Sequence, residues 1–359
     1  MNVLLLSRYG NLGASSRIRS YQYLNYLRAQ GIEVTVAPLL PDNYLRDFYA
    51  GKRPGIIFIL VAYLRRIGAL VRREKFDLLW IEYELFPWLP GWLESLVLTK
   101  TTPYLVEYDD AIFHRYDRHP NPLVRRLLGG KIDTVMRRAT TVVVGNEYLR
   151  DHAIKAGARR VEMLPTSIDL ARYPSPAPAR NEVFTIGWIG SPATTRYLHF
   201  VHEVMAEVCA HNRARVVLVG ACDPGWRDVP YSIHAWSEET EVAEIGGFDV
   251  GIMPLEDSPW ERGKCGYKLI QYMACGKPVI ASPVGVNTRI VEPGINGYLA
   301  ETKQDWVNAL TTLMADADLR QRMGAAGRAK VERNYTIQAN APRLAAMLRA
   351  AAGQLQFPV

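Results

Sequence analysis

The stretch Arg172-Tyr173-Pro174-Ser175-Pro176-Ala177-Pro178-Ala179-Arg180 breaks the chain in two. Proline fixes φ and removes a backbone donor, so alternating prolines fit neither a helix interior nor a central strand. A domain boundary after Ser175 follows. Before it, strand-like runs at residues 2–7, 33–37, 78–82, 104–107, 141–145 and 161–164 alternate with helical patterns at 16–30, 58–74 and 123–138. Beyond it, strands at 185–189, 215–219, 249–253 and 278–281 alternate with helices at 196–209, 267–275 and 303–315, the last but one stopped by Gly276. Such alternation builds parallel sheets with helices on both faces. The expected fold is α/β, with two doubly wound, Rossmann-like parallel-sheet domains (residues 1–175 and 176–336) facing a cleft. A terminal helix (337–359) is expected to cross back to the first domain. Ligands of such sheets bind beyond the carboxyl ends of the strands, so the turns after strands are where chemistry is sought.

The composition agrees with two domains. The 359 residues are 48% hydrophobic and 22% charged, an ordinary globular balance, and exceed a single core of about 100–200 residues. Through Ser175 there are 25 basic against 17 acidic residues, and beyond it 18 against 19, so the whole positive excess lies in the first half. That asymmetry suits an anionic partner: an acidic membrane surface, a phosphorylated substrate or nucleic acid. No nucleic-acid recognition motif or aromatic platform accompanies it, so nucleic acid is not expected. The start, Met1-Asn2-Val3-Leu4-Leu5-Leu6-Ser7, lacks a basic region before its apolar run and reads as a buried strand rather than a signal peptide. The longest apolar stretch, residues 55–64, is about half the roughly 20 residues of a spanning helix. Cys209, Cys222, Cys265 and Cys275 form no Cys-x-x-Cys pair and have no nearby histidine at zinc-ligand spacing. A reduced cytoplasmic setting, with no disulfide framework or structural metal, is the expectation.

Two turns carry candidate anion-binding chemistry. After the first strand, Arg8-Tyr9-Gly10-Asn11-Leu12-Gly13-Ala14-Ser15-Ser16-Arg17 leads into a helix. Gly13 permits close backbone approach, and Arg17 at a helix start suits phosphate oxygens. The glycine spacing is not that of a dinucleotide site, and a plain tight turn is the competing reading. The richer turn is Glu261-Arg262-Gly263-Lys264-Cys265-Gly266-Tyr267-Lys268-Leu269-Ile270-Gln271. Glycines free the backbone at a helix entry while Lys264 and Lys268 stand beside its first turn, an arrangement that fits a diphosphate. Gln271, one turn on, has an amide suited to ribose hydroxyls. The alternative is a solvated lysine face.

At this turn the sequence resembles the family-four retaining glycosyltransferases, whose GT-B fold pairs two Rossmann-like domains. Met273-Ala274-Cys275-Gly276-Lys277-Pro278-Val279-Ile280-Ala281-Ser282 is the most specific segment, supported by Leu164-Pro165-Thr166-Ser167-Ile168-Asp169, Gly187-Trp188-Ile189-Gly190-Ser191 and Gly294-Ile295-Asn296-Gly297-Tyr298-Leu299. The resemblance implies a nucleotide-sugar donor, a glycan or lipid-linked hydroxyl acceptor, retention of configuration, and neither cofactor nor catalytic metal. It implies donor contacts at Gly13, Arg17, Gly190, Ser191, Thr194, Lys264, Gly266, Tyr267, Lys268, Leu269 and Gln271. Two departures stand out. The family's paired glutamates fall here on Gly263 and Gln271, leaving Glu261 or Lys264 as substitutes for the first. Its Arg and Lys after the first donor-domain strand are replaced by Ser191-Pro192-Ala193-Thr194-Thr195-Arg196, so Lys268, Arg17 and the hydroxyls of Ser191 and Thr194 are expected to take over.

Glu107-Tyr108-Asp109-Asp110-Ala111-Ile112-Phe113-His114 follows a strand. Related enzymes place a His-Asp pair at this position, which makes Asp109, Asp110 and His114 the catalytic candidates, either orienting the acceptor hydroxyl or taking its proton. Metal ligation and a helix cap compete with that reading. Residues 55–74 interleave apolar side chains with Arg65, Arg66, Arg72 and Arg73. Either this is a Rossmann helix with its apolar side on the sheet and arginines in water, or it lies on an anionic bilayer at the inner face of the membrane. The expected activity is sugar transfer in cell-surface polysaccharide or glycolipid synthesis; a nucleotide-sugar epimerase and a catalytically inactive binding protein are the rivals.

Overall fold

The computed structural model describes residues 1–52, 55–98, 103–174, 181–210 and 213–354. Two compact units result: Met1–Thr166 together with residues 340–354, and Ser167–Ala339. The division falls at Thr166, earlier than the boundary expected after Ser175; the proline-rich residues 175–180 lie outside the described residues.

In the first unit, strands β1 (Asn2–Leu6), β2 (Glu33–Val36), β3 (Leu78–Glu82), β4 (Tyr104–Tyr108), β5 (Thr141–Val144) and β6 (Val161–Met163) form one sheet in the order β2-β1-β3-β4-β5-β6. Every pairing is parallel. Strands β3, β4 and β5 are buried throughout, which is why they read as nearly unbroken apolar runs. Two expected helices are split. Residues 16–30 become Ala14–Arg19 and Leu24–Ala29, broken where Ser20 leaves the helical region at φ −129°. Residues 123–138 become Pro122–Leu128 and Lys131–Arg138, separated by Gly129-Gly130. The last helix, Ile337–Ala351, joins the first unit from Asn340 onward. There Arg343 donates to Met163 O at 2.7 Å and Arg349 to Gln30 O at 2.6 Å.

The helix Ile56–Val71 corrects one expectation. Ala62, Arg66 and Leu70 are its buried residues, and a further set of apolar side chains, among them Ile56, Ile57, Leu64 and Val71, is exposed. Burial lowers the Arg66 guanidinium to about 10. One arginine is buried while Arg65 and Arg72 stay exposed, and an aliphatic stripe is left on the outside.

In the second unit, β7 (Phe184–Ile189), β8 (Ala214–Val219), β9 (Tyr231–His234), β10 (Val250–Met253), β11 (Val279–Ala281) and β12 (Gly297–Leu299) form a parallel sheet in the order β12-β11-β10-β7-β8-β9. The edge strands β9 and β12 escape the sequence reading because they are short and only partly buried. Ile186, Trp188, Val216, Leu218 and Ile252 pack on one face with the helices His202–Cys209 and Lys303–Ala315. Ile189, Val217, Val219, Met253 and Val279 pack on the other with the helix Tyr267–Ala274. Alternation within fully buried strands gives each face its own helical layer. Among the described residues no helix is long and apolar enough to cross a membrane.

Candidate functional site

The helix Tyr267–Ala274 is set against the end of β7 by its own hydrophobic stripe and by one hydroxyl. Leu269, Ile270 and Met273 are fully buried. The Tyr272 hydroxyl accepts from Ile189 N–H at 2.9 Å and donates to Ile252 O at 3.2 Å, stitching the helix to the ends of β7 and β10. The helix begins at Gly266, in the left-handed region at φ 67°, where a Cβ would lie 2.3 Å from Ile290 Cδ1. Only glycine combines that conformation with that approach. No side chain caps the terminus. At the other end Gly276, at φ 67°, closes the helix as expected.

Lys268 lies in the first turn, its ammonium 3.9 Å from the centroid of the Trp188 ring. A Cβ on Gly190 would stand 2.7 Å from that nitrogen and 2.2 Å from the indole, so the glycine leaves room for the pair. Burial lowers the Lys268 pKa well below the ordinary lysine value, and the Lys264 charge adds to the effect. A desolvated ammonium with a second lysine in its field at an uncapped helix start makes a cationic seat, with the Glu261 carboxylate within the field of Lys264.

The surrounding residues divide by role. Leu269 belongs to the core and its N–H bonds Gly266 O at 3.0 Å. Ser191 and Thr194 form a capping box: Ser191 N–H donates to Thr194 Oγ1 at 3.0 Å, and Thr194 Oγ1 donates to Ser191 O at 3.0 Å. These hydroxyls organise the turn after β7. Gln271 is buried and its amide donates to the Tyr173 hydroxyl at 3.3 Å. Glu261 is tied into a local network beside Gly263. Its carboxylate accepts from Arg196 at 3.2 Å and from the hydroxyls of Tyr197 and Ser258. Although burial opposes the charge, these hydrogen bonds hold its pKa below the usual glutamate value.

In the first unit, the turn after β1 is shaped by Asp42, which accepts from Leu12 N–H at 2.8 Å and fills the space beside Gly10. Gly13 starts the Ala14–Arg19 helix and has Tyr9 where a Cβ would project. Arg17 is buried and folds back to donate to Asn11 O at 3.2 Å. A cavity of about 190 Å³ is lined by Gly13, Ser15 and the aromatic side chains of Tyr9, Tyr44, Phe48 and Tyr49. Ser15 also accepts from the Tyr83 hydroxyl at 3.1 Å, which is within hydrogen-bond reach of Asp109 Oδ1 as well. Tyr83 thus joins the turns after β1, β3 and β4. It does so from a left-handed backbone, φ 61°, uncommon for a bulky residue and characteristic of functional turns.

Behind this array two carboxyls are buried at strand ends. Glu82 accepts from Ser16 Oγ at 2.6 Å and Arg8 N–H at 3.0 Å, and burial raises it to about 7. Glu107 pairs with Arg19 at 2.5 Å, yet burial outweighs the guanidinium and raises it to about 8. His114 is not gathered into the array. Its Nδ1 meets Asp117 at 2.8 Å and its Nε2 meets the Tyr148 hydroxyl at 2.7 Å, so both ring nitrogens are committed within the unit. In this arrangement the Asp117 carboxylate and the Tyr148 hydroxyl orient the His114 ring, while Asp109 and Asp110 are half-buried at the strand end. Among the described residues no cluster of His, Cys, Asp and Glu is placed to hold a metal. Sequence reasoning passed over Trp188 and Tyr83. The aromatic between glycines in Gly187-Trp188-Ile189-Gly190, and the polar Glu82-Tyr83-Glu84 ending an apolar strand, were the available signals.

Comparison with known proteins agrees with this anatomy. Residues 12–167 match the family model described as a glycosyl transferase 4-like domain, and residues 181–316 match that of glycosyl transferases group 1. Sucrose-phosphate synthase from Thermosynechococcus elongatus superposes with a TM-score of 0.75 at 16% identity, covering 99% of this chain and 100% of that one. Anabaena HepE, solved in complex with UDP-glucose, superposes with a TM-score of 0.70 at 15% identity, covering 98% and 100%. The chain therefore has the GT-B fold of glycosyltransferases, with one matched glycosyltransferase domain in each unit. The D-inositol 3-phosphate glycosyltransferase of Stackebrandtia nassauensis is 30% identical over 131 residues, which is 32% of this chain and 28% of that relative's length.

Proposed function

We propose that the chain moves a sugar from a nucleoside-diphosphate sugar to a hydroxyl of a glycan or lipid-linked acceptor. Transfer retains the anomeric configuration, uses no catalytic metal, and serves cell-surface polysaccharide or glycolipid synthesis. The observation that carries the reading is the Lys268 ammonium, desolvated over Trp188 at an uncapped helix start. The HepE complex with UDP-glucose and the name of the Stackebrandtia relative support the same class of chemistry.

In this reading Lys268, Lys264 and the N–H groups at Gly266 and Tyr267 receive the diphosphate, with Gly190 giving the close approach. Gly13 and Arg17 are proposed donor contacts within the first unit's own turn after β1. The bond from the anomeric carbon to the diphosphate oxygen breaks, the bond to the acceptor oxygen forms on the same face, and the acceptor proton passes to the departing diphosphate. Stabilising the charge that grows on that leaving group is the main catalytic task. Asp109, positioned by Tyr83, and Asp110 orient the acceptor hydroxyl.

A panel of nucleotide sugars scored by thermal shift tests donor binding, since a true donor raises the melting temperature by mass action. Product analysis with and without acceptor then separates transfer from epimerisation, and the anomeric coupling constant of the product reads retention. Donor binding with no turnover on any acceptor would identify an inactive binding protein, and no stabilisation by any donor sinks the proposal.

A further inference from the structure

The helix Ile56–Val71 is held on the first unit by its polar and aromatic side. Arg66 donates to Ser7 O, the Tyr63 hydroxyl donates to Pro87 O, and the rings of Phe58 and Tyr63 pack on Tyr44 and Phe86. With rotation fixed by these anchors, Ile56, Ile57, Leu60, Leu64, Ile67 and Val71 are left between 45% and 77% exposed. At about 100° per residue they form one continuous stripe. An apolar face of this extent on a surface helix marks an interaction site.

Charge chooses the partner. Residues 48–73 contain no aspartate or glutamate, and exposed Arg65 and Arg72 flank the stripe. A second copy of the chain docking through the same face would bring two cationic rims together without acidic residues from either helix to neutralise them. Anionic headgroups have the matching charge. A helix of 16 residues is also about 24 Å long, short of the roughly 30 Å hydrocarbon core. It can lie along a bilayer but not span one.

We infer that this face docks on an anionic lipid bilayer, with the helix axis in the membrane plane, its apolar stripe in the headgroup–acyl boundary, and Arg65 and Arg72 among the lipid phosphates. The inference stands apart from sugar transfer, because it requires only the surface of the first unit.

Cosedimentation of the full chain with vesicles of phosphatidylcholine, alone or mixed with phosphatidylglycerol, tests it. Binding to the mixed vesicles and little to the neutral ones is the expected result. Arg65→Gln with Arg72→Gln weakens partitioning about thirtyfold, at roughly 1 kcal/mol per arginine, and Leu60→Glu with Leu64→Glu abolishes it. Both pairs sit at exposed positions, so the circular dichroism spectrum and melting temperature stay those of the parent; should the glutamate pair fail to fold, the arginine pair decides alone. The inference is overturned if the parent ignores anionic vesicles, or if folded variants bind as well as the parent. It is equally overturned if light scattering shows a dimer that the Leu60→Glu, Leu64→Glu pair converts to monomer while vesicle binding is absent.

Discussion

Replacing Lys268 by methionine should make the free protein more stable and a poorer binder of diphosphates. The ammonium rests 3.9 Å from the Trp188 ring centroid with Lys264 in its field. Its contact with the indole is worth about 0.5–2 kcal/mol, whereas removing an unneutralised charge from water costs several kcal/mol even after relaxation. Methionine keeps the length and volume of the stem, and its sulfur packs on the ring with about 0.3–1.5 kcal/mol, which largely replaces the lost contact. A net gain of roughly 1–3 kcal/mol follows, and at about 2–4 °C per kcal/mol for a lobe of this size the ligand-free melting temperature rises measurably. The same change removes a charge-assisted hydrogen bond of about 1.5–3 kcal/mol to the diphosphate, weakening donor affinity roughly 10- to 150-fold. Differential scanning calorimetry without ligand and isothermal titration with a nucleoside diphosphate read the two arms separately. An unchanged dissociation constant refutes the anion seat. A lowered melting temperature with intact secondary structure refutes the claim that the charge is uncompensated.

Asp109→Asn keeps an oxygen for the Tyr83 hydroxyl, so stability should stay near that of the parent while kcat falls by about 10²-fold or more; if Asp109→Asn and Asp110→Asn both retain most activity, the cluster is structural. Glu82 titrates near 7 when folded against 4.5 for the unreacted side chain, so between those values the folded chain holds a proton that the unfolded chain has released. Its contribution is complete below about pH 4.5 and disappears as pH rises through about 7. Urea midpoints at pH 5 and pH 8 should therefore drop more in the parent than in Glu82→Gln, and equal drops would contradict the assignment.

The sequence by itself determined the strand–helix alternation and most of the sheet. Runs such as Val3-Leu4-Leu5-Leu6 and Leu78-Leu79-Trp80-Ile81 can be satisfied only by burial on both faces, a local property written in composition. It also determined the glycine-framed entry to the Lys268 helix, because a left-handed N-cap is a demand of the backbone that residue type reveals. Tertiary structure alone decided which polar groups meet. Trp188 under Lys268, Tyr83 bridging to Asp109, and His114 meeting Tyr148 are contacts between residues 26 to 80 positions apart, set by the tertiary fold rather than neighbouring sequence. Tertiary structure decided the facing of the Ile56–Val71 helix as well. Periodicity identifies that a helix has two unlike faces, but it was the reach of Arg66 to Ser7 O and of Tyr63 to Pro87 O that turned the arginine inward and the aliphatic stripe out.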